Sequence, residues 1–184
     1  MKIILFSPEH AQGWVRCRVL SFLDTPYFDD VVRVKPAYEN PSVELVALHA
    51  DGSVIGLIDI EVDPTLHSGM IHHFAVHPDF QGIGVGRALQ REAEARVVKL
   101  GARRLEAWTR DDSKTREWYF KQGFTQFKSY LHVFMDGQDL SAKTPTPGLS
   151  MISGFSHYVG KETDEVRRLH QRVHECVGLE KKLT

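Results

Sequence analysis

Three glycines on alternate positions, Gly82, Gly84 and Gly86, lead from the end of an apolar run directly into a helix-like stripe. The start of a helix leaves N–H groups unpaired and carries partial positive charge from the aligned peptide dipoles. Glycines let an anion approach that backbone without interference from a Cβ. The segment Gln81-Gly82-Ile83-Gly84-Val85-Gly86-Arg87 therefore reads as a pyrophosphate cradle or as a glycine turn that packs closely. It is not a Walker loop, because Gly86 is followed by Arg87-Ala88-Leu89 rather than Lys-Ser/Thr. It is not a dinucleotide fingerprint either, since Leu89 stands where Gly or Ala belongs and the loop follows a hairpin rather than opening a βαβ unit. Just upstream lie His72 and His73. A histidine, with an ordinary pKa near 6.5, accepts a proton at neutral pH, and strand alternation places one of the two on each face. Asp59 and Glu61 are weaker candidates for the same role and read more simply as solvated strand acids. His170 and His174 share helical spacing, but no further ligands complete a set, so no metal is expected.

These residues need a framework. Met1–Phe6 reads as a strand, and Ser7-Pro8-Glu9 as a helix start with Ser as cap and Pro in the first turn. Ala11, Trp14, Val15, Val19 and Phe22 continue that helix, which Asp24-Thr25-Pro26 ends. Residues 27 to 42 read as a loop or short helix. Val43–Ala50, the Asp51-Gly52 turn and Val54–Val62 form a hairpin, and Gly69–Val76 a further strand. After the glycine loop a helix striped by Leu89, Ala93, Val97 and Leu100 stops at Gly101. Arg104–Trp108 is a strand, and Asp111-Asp112-Ser113 caps a second helix that ends at Gly123. Phe124–Phe127 and Tyr130–Met135 read as two closing strands, 137 to 150 as a linker, Met151–Val159 as a strand and Thr163–Val177 as a helix.

Composition narrows the setting. The chain has 184 residues, 42% hydrophobic and 26% charged, with 23 Lys and Arg against 24 Asp and Glu. A net charge of −1 lacks the basic footprint of a nucleic-acid binder, so no nucleic-acid partner is expected. No apolar run nears the roughly 20 residues that span a bilayer, so no membrane partner is expected. Met1–Phe6 is too short for a signal-peptide core, and Cys17 and Cys176 do not suggest a disulfide framework. A cytoplasmic location follows as the expectation.

Gln81-Gly82-Ile83-Gly84-Val85-Gly86 resembles the acyl-CoA loop of the GNAT superfamily of N-acetyltransferases, Gln/Arg-x-x-Gly-x-Gly/Ala. Val76-His77-Pro78-Asp79-Phe80 resembles its lead-in, and Tyr119-Phe-Lys-Gln-Gly123-Phe124 resembles the Tyr-x-x-x-Gly-Phe of its later helix. The resemblance spans about residues 1 to 135. It implies an α/β fold of the α+β type: a mixed, mostly antiparallel central sheet with helices on both faces. The expected division is an acetyltransferase domain at 1–136. At 137–184 a linker and a strand–helix extension follow, packed on the core or on a partner subunit, with homodimer contact among its open roles. The implied reaction is acetyl transfer from acetyl-CoA to a primary amine, on a small molecule or a peptide, by direct attack in a ternary complex. The rival is a non-catalytic acyl-CoA-binding module. The resemblance assigns Tyr119 as general acid and favours His72 over His73 as base. It places the pantetheine arm along Ala75 and Val76, and the pyrophosphate on the amides from Gln81 to Arg87. The family often carries Asn where Asp112 stands, which puts a cofactor contact by that side chain in question.

Overall fold

A computed structural model describes residues 1–137, 149 and 151–183. Ser7 and Pro8 open a single turn of 3-10 helix at Pro8–His10, which leads into α1, Ala11–Phe22. β1 (Lys2–Leu5) precedes it, and the first hairpin follows it as β2 (Ser42–Leu48) and β3 (Val54–Asp63). Gly52 takes φ +86° in the turn, a conformation that Asp-Gly supplies at little cost. β4 (Ser68–Val76) runs to the glycine loop and into α2, Val85–Lys99. β5 (Arg104–Thr109) and α3 (Ser113–Lys121) come next. They are followed by β6 (Thr125–Asp136), β7 (Ser153–Tyr158), α4 (Thr163–Leu169) and β8 (Arg172–Lys182).

Among the described residues eight strands join one sheet in the order β1-β2-β3-β4-β5-β8-β6-β7. Only the β4–β5 pair is parallel; every other neighbour is antiparallel. The core has two layers. Leu45, Ile58, Ile60, Leu89, Ala93, Val97, Leu105, Val177 and Leu179 fill the space under α2 and α3. Trp14, Cys17, Val46, Leu57 and Ala75 fill the space under α1 on the opposite face. Each fully buried Leu or Ile stabilises the fold by about 1.5–3 kcal/mol relative to exposure. Among the described residues no helix is long and apolar enough to cross a membrane.

Two sequence expectations need correction. The strands expected at Phe124–Phe127 and Tyr130–Met135 are one strand, β6, with a bulge between Gln126 and Lys128. The bulge shifts the apolar alternation by one residue, so the two halves read as separate elements. The helix expected over 163–177 ends at Leu169, and the chain continues as β8. Val173 and Val177 lie four apart, a spacing that shares a face in either a helix or a strand, so the pattern was ambiguous. β8 sits inside the sheet between β5 and β6, which makes the C-terminal segment a source of core side chains. It also removes the supposed helical pairing of His170 and His174, because His174 is a strand residue. The linker expected at 137–150 falls largely outside the described residues.

Candidate active site

β4 pairs with β5 only from Ser68–Ile71 against Arg104–Ala107. Beyond that point β4 keeps its partner β3 and β5 keeps β8, but the two no longer pair with each other. A wedge opens between them. The His77 N–H bonds the Ile55 carbonyl of β3, so by alternation Ala75 also turns its main chain toward β3. Phe74 and Val76 turn theirs toward the wedge, and the Val76 carbonyl accepts the Gln81 side-chain amide at 3.0 Å. The motif glutamine thus ties the loop to the strand end.

The glycine loop borders one end of the wedge. Gly82 and Gly84 have φ +77° and +95°, and a Cβ built on either meets nothing within 4 Å. These glycines are set by backbone conformation and face open space, which fits an anion cradle and not a tightly packed turn. Gly84 caps α2, whose first closing bond runs from the Ala88 N–H to the Gly84 carbonyl at 3.1 Å. The N–H groups of Val85, Gly86 and Arg87 precede any intrahelical acceptor. Ile83 and Arg87 are exposed beside them. Tyr119 approaches the wedge from the α3 side, buried against Phe74, Trp118 and Phe124. Burial pushes its hydroxyl above the ordinary phenol range, so it holds its proton at neutral pH.

The α1 side of the wedge is built differently. Asp59 pairs with His73 but Ile60 pairs with Ile71, so β4 carries a bulge at His72. Ile71 and Phe74 both pack on the α2 side, which leaves His72 and His73 together on the α1 side and not on opposite faces. The two rings have different surroundings. His72 is exposed, stacks on Tyr38 (5.2 Å, 27°) and sets Nε2 3.0 Å from Glu61 Oε2. His73 lies edge-on to Trp14 at 5.0 Å, and its Nδ1 accepts the Arg18 Nε–H at 3.2 Å. Burial, reinforced by the Arg18 charge, holds His73 down to about 4. Its lone pair is occupied and its affinity for a proton is low.

Neighbouring acids lock this arrangement. Arg18 is buried and grips Asp30 through its main-chain carbonyl (2.6 Å) and its carboxylate (2.8 Å). Asp59 is fully buried, accepts the Tyr38 hydroxyl at 3.1 Å and pairs with Lys35 at 3.2 Å. It is therefore not the solvated acid expected from sequence. Glu61 bonds the Asn40 main chain at 2.9 Å, the Asn40 side chain and His72, and these bonds hold its carboxyl below the usual range.

A family model described as the acetyltransferase (GNAT) family matches residues 9–124. The chain belongs to this family. It is 28% identical over 117 residues to an acetyltransferase of Pectobacterium atrosepticum, covering 61% of this chain and 79% of that one. A ribosomal-protein-alanine N-acetyltransferase structure from Brucella melitensis superposes with TM-score 0.65 at 15% identity, covering all of both chains. A Bacillus anthracis acetyltransferase solved with acetyl coenzyme A superposes with TM-score 0.52 at 14% identity, over 88% of this chain and 70% of that one. At such identities the structures speak for the fold.

Within this GNAT acetyltransferase the loop residues Gln81 to Arg87, the strand residue Val76 and Tyr119 border one wedge. Ala75 instead faces β3 with its main chain and α1 with its side chain. Asp112 caps α3, accepting from the Lys114 and Thr115 N–H groups and from the Thr115 hydroxyl at 2.6 Å. That carboxylate is occupied by its own helix. Sequence reasoning missed Phe74, Arg18 and Tyr38, which contact Tyr119, His73 and His72 respectively. Neither cysteine is poised as a nucleophile. Burial pushes Cys17 up to about 11, and burial likewise raises Cys176. Among the described residues no group of three or more His, Cys, Asp or Glu is placed to hold a metal ion.

Proposed function

We propose that the chain transfers the acetyl group of acetyl-CoA to a primary amine by direct attack in a ternary complex. The observation that carries this reading is the wedge itself, with Tyr119 on one side and the His72–Glu61 pair on the other. The thioester supplies an activated acetyl carbon, and the protein positions everything around it. The Phe74 main chain and the Val76 N–H offer a strand edge for the pantetheine amides, the Val76 carbonyl being held by Gln81, and the amides from Gly82 to Arg87 face the pyrophosphate.

On the α1 side His72 takes one proton from the incoming ammonium, which leaves a neutral amine. Glu61 fixes the imidazole through Nε2, leaving Nδ1 to accept. The freed nitrogen lone pair forms the new C–N bond, the C–S bond breaks, and the second proton of the nitrogen passes to solvent as the amide forms. Tyr119 gives its proton to the leaving sulfur, and solvent carries the proton on His72 away and restores the phenol. His73 stays neutral, with Arg18 on Nδ1, and acts as a rigid wall. A covalent acyl-cysteine is not part of this route, since both thiols are buried with raised pKa.

A thiol-release assay with acetyl-CoA and an amine panel tests the proposal. Release that depends on the amine, and that falls in both His72→Gln and Tyr119→Phe, is the expected outcome. Tight acetyl-CoA binding with no release for any amine would overturn it.

A further inference from the structure

The acceptor side holds more than a base. Ile71 opposite Ala107 is the last β4–β5 pair, so His72 and Trp108 come next on the two facing lips of the wedge. Leu105 and Ala107 pack under α2 and α3, and alternation therefore turns Trp108 to the α1 side, the side of His72. From Trp108 an aromatic wall continues across the sheet. Phe127 lies edge-on to it at 5.6 Å and Tyr130 sits 5.4 Å away. Beneath them is Gly178, the β8 partner of Trp108. A Cβ there would come within 2.8 Å of Phe127 and 2.9 Å of Trp108, so the rings occupy the space a side chain would need.

The wall is built, yet it stays open. Phe127 is 45% exposed, and the bulge in β6 is what turns it onto this face. The two bulges, at His72 and at Phe127, thus deliver extra side chains to the same side of the sheet. α1 packs over β3 and β4, and the loop after it reaches only the far end of this stretch, where the Tyr27 hydroxyl accepts the Arg110 N–H and Arg110 bonds the Pro26 carbonyl. Charge along the groove is mixed, since Glu106 and its β8 partner Glu180 share this face by alternation and Lys128 stands opposite Gly178. Glu61 stands at the His72 end. At the other end Arg110 lies over Phe134 at 5.4 Å and Arg172 at 3.8 Å, both paired with Asp29. A second positive charge would meet two arginines there, whereas a neutral ring meets aromatic faces.

We propose that the acceptor is a primary amine joined by a short saturated linker to a neutral aromatic ring. The amine sits at His72 and the ring lies against Trp108, Phe127 and Tyr130. This substrate class rests on the acetyl-transfer reading above. Offset and edge-to-face ring packing adds to the gain from burying the ring and discriminates against an aliphatic chain of equal basicity.

Thiol release is measured with phenethylamine, butylamine, spermidine and a lysine peptide, and phenethylamine binding is followed by tryptophan fluorescence. Expected is a phenethylamine kcat/KM about 30-fold above butylamine, with that ratio falling to about 3 or less in Trp108→Ala. The fluorescence change on adding phenethylamine is lost in Trp108→Phe. If Trp108→Ala does not fold, Phe127→Ala, at a half-exposed position, serves instead and lowers the ratio several-fold. Butylamine, spermidine or the peptide matching phenethylamine would overturn the proposal. So would an unchanged ratio in the folded variants. Release with no amine at all defeats the transferase reading, and in that case the fluorescence titration still decides the aromatic site: saturable binding that needs Trp108 supports it, and none refutes it.

Discussion

The two sides of the β4–β5 wedge are made from different materials. On the α2 side the site consists, apart from the Tyr119 side chain, of main chain: a helix start, two glycines at positive φ and a strand edge that has lost its partner. On the α1 side it consists of side chains drawn from β3, β4, β5, β6 and the loop after α1, with bulges turning His72 and Phe127 into place. Main-chain recognition needs only glycines at fixed offsets, so one local motif encodes it. Side-chain recognition depends on register between distant strands. The first side can be shared across a family, and the second sets what one member acts on.

The contrast predicts that loss of a reacting side chain lowers turnover, whereas loss of a loop glycine lowers acetyl-CoA affinity. Tyr119→Phe keeps the ring packed on Phe74 and removes only the proton donor. Turnover is expected to drop about 100-fold while acetyl-CoA affinity stays within about twofold, read by thiol release and calorimetry on the same sample. A fully active Tyr119→Phe enzyme would remove the acid from the scheme.

Gly84→Val should do the reverse. At φ +95° a β-branched residue is strained as well as obstructive, so acetyl-CoA affinity is expected to fall about 10- to 100-fold. Unchanged calorimetric affinity would mean that the loop is not the cradle. Glu61→Gln sharpens the other side. Loss of the carboxylate behind His72 is expected to lower kcat about 10-fold with acetyl-CoA binding untouched. A change in acetyl-CoA affinity of the same size would blur the division between the two sides.

The smallest expected effect is on stability. The folded protein holds His73 down at about 4, so on acidification the unfolded chain takes up a proton first, near the ordinary histidine pKa of about 6.5. Stability is therefore full above that pH and declines as pH falls from about 6.5 toward 4. Discounted for remaining solvent contact, the loss at pH 5 is about 1 kcal/mol, or about 2–4 °C in Tm. His73→Gln keeps an acceptor for Arg18 and cannot protonate. Thermal melts at pH 7 and pH 5 should show a smaller drop in the variant, and an equal drop would point to other groups.

The glycine-loop side of the wedge was legible in the sequence because its residues are contiguous. Gly82, Gly84, Tyr119 and Gly123 stand in short motifs, and the Asp51-Gly52 turn and the stripe on α2 follow from local chemistry. The acceptor side was legible only in fragments. His72 was visible, but its pairing with Glu61 depends on a β3–β4 register that no local pattern reveals. Asp59 looked solvated because alternation cannot show that Lys35 and Tyr38 close over it. The role of Gly178 could not be read while its strand resembled a helix. Two of the misreadings, the split of β6 and the alternation expected of His72 and His73, come from bulges, each of which breaks the period by which strands are recognised.

The separation of the two sides is tested most directly by His72→Gln, with acetyl-CoA affinity and amine-dependent thiol release measured on one preparation. The expected result is acetyl-CoA binding within about twofold of the parent and turnover lower by about 100-fold. Undiminished turnover, or a loss of acetyl-CoA affinity that accounts for the lost activity, would contradict it.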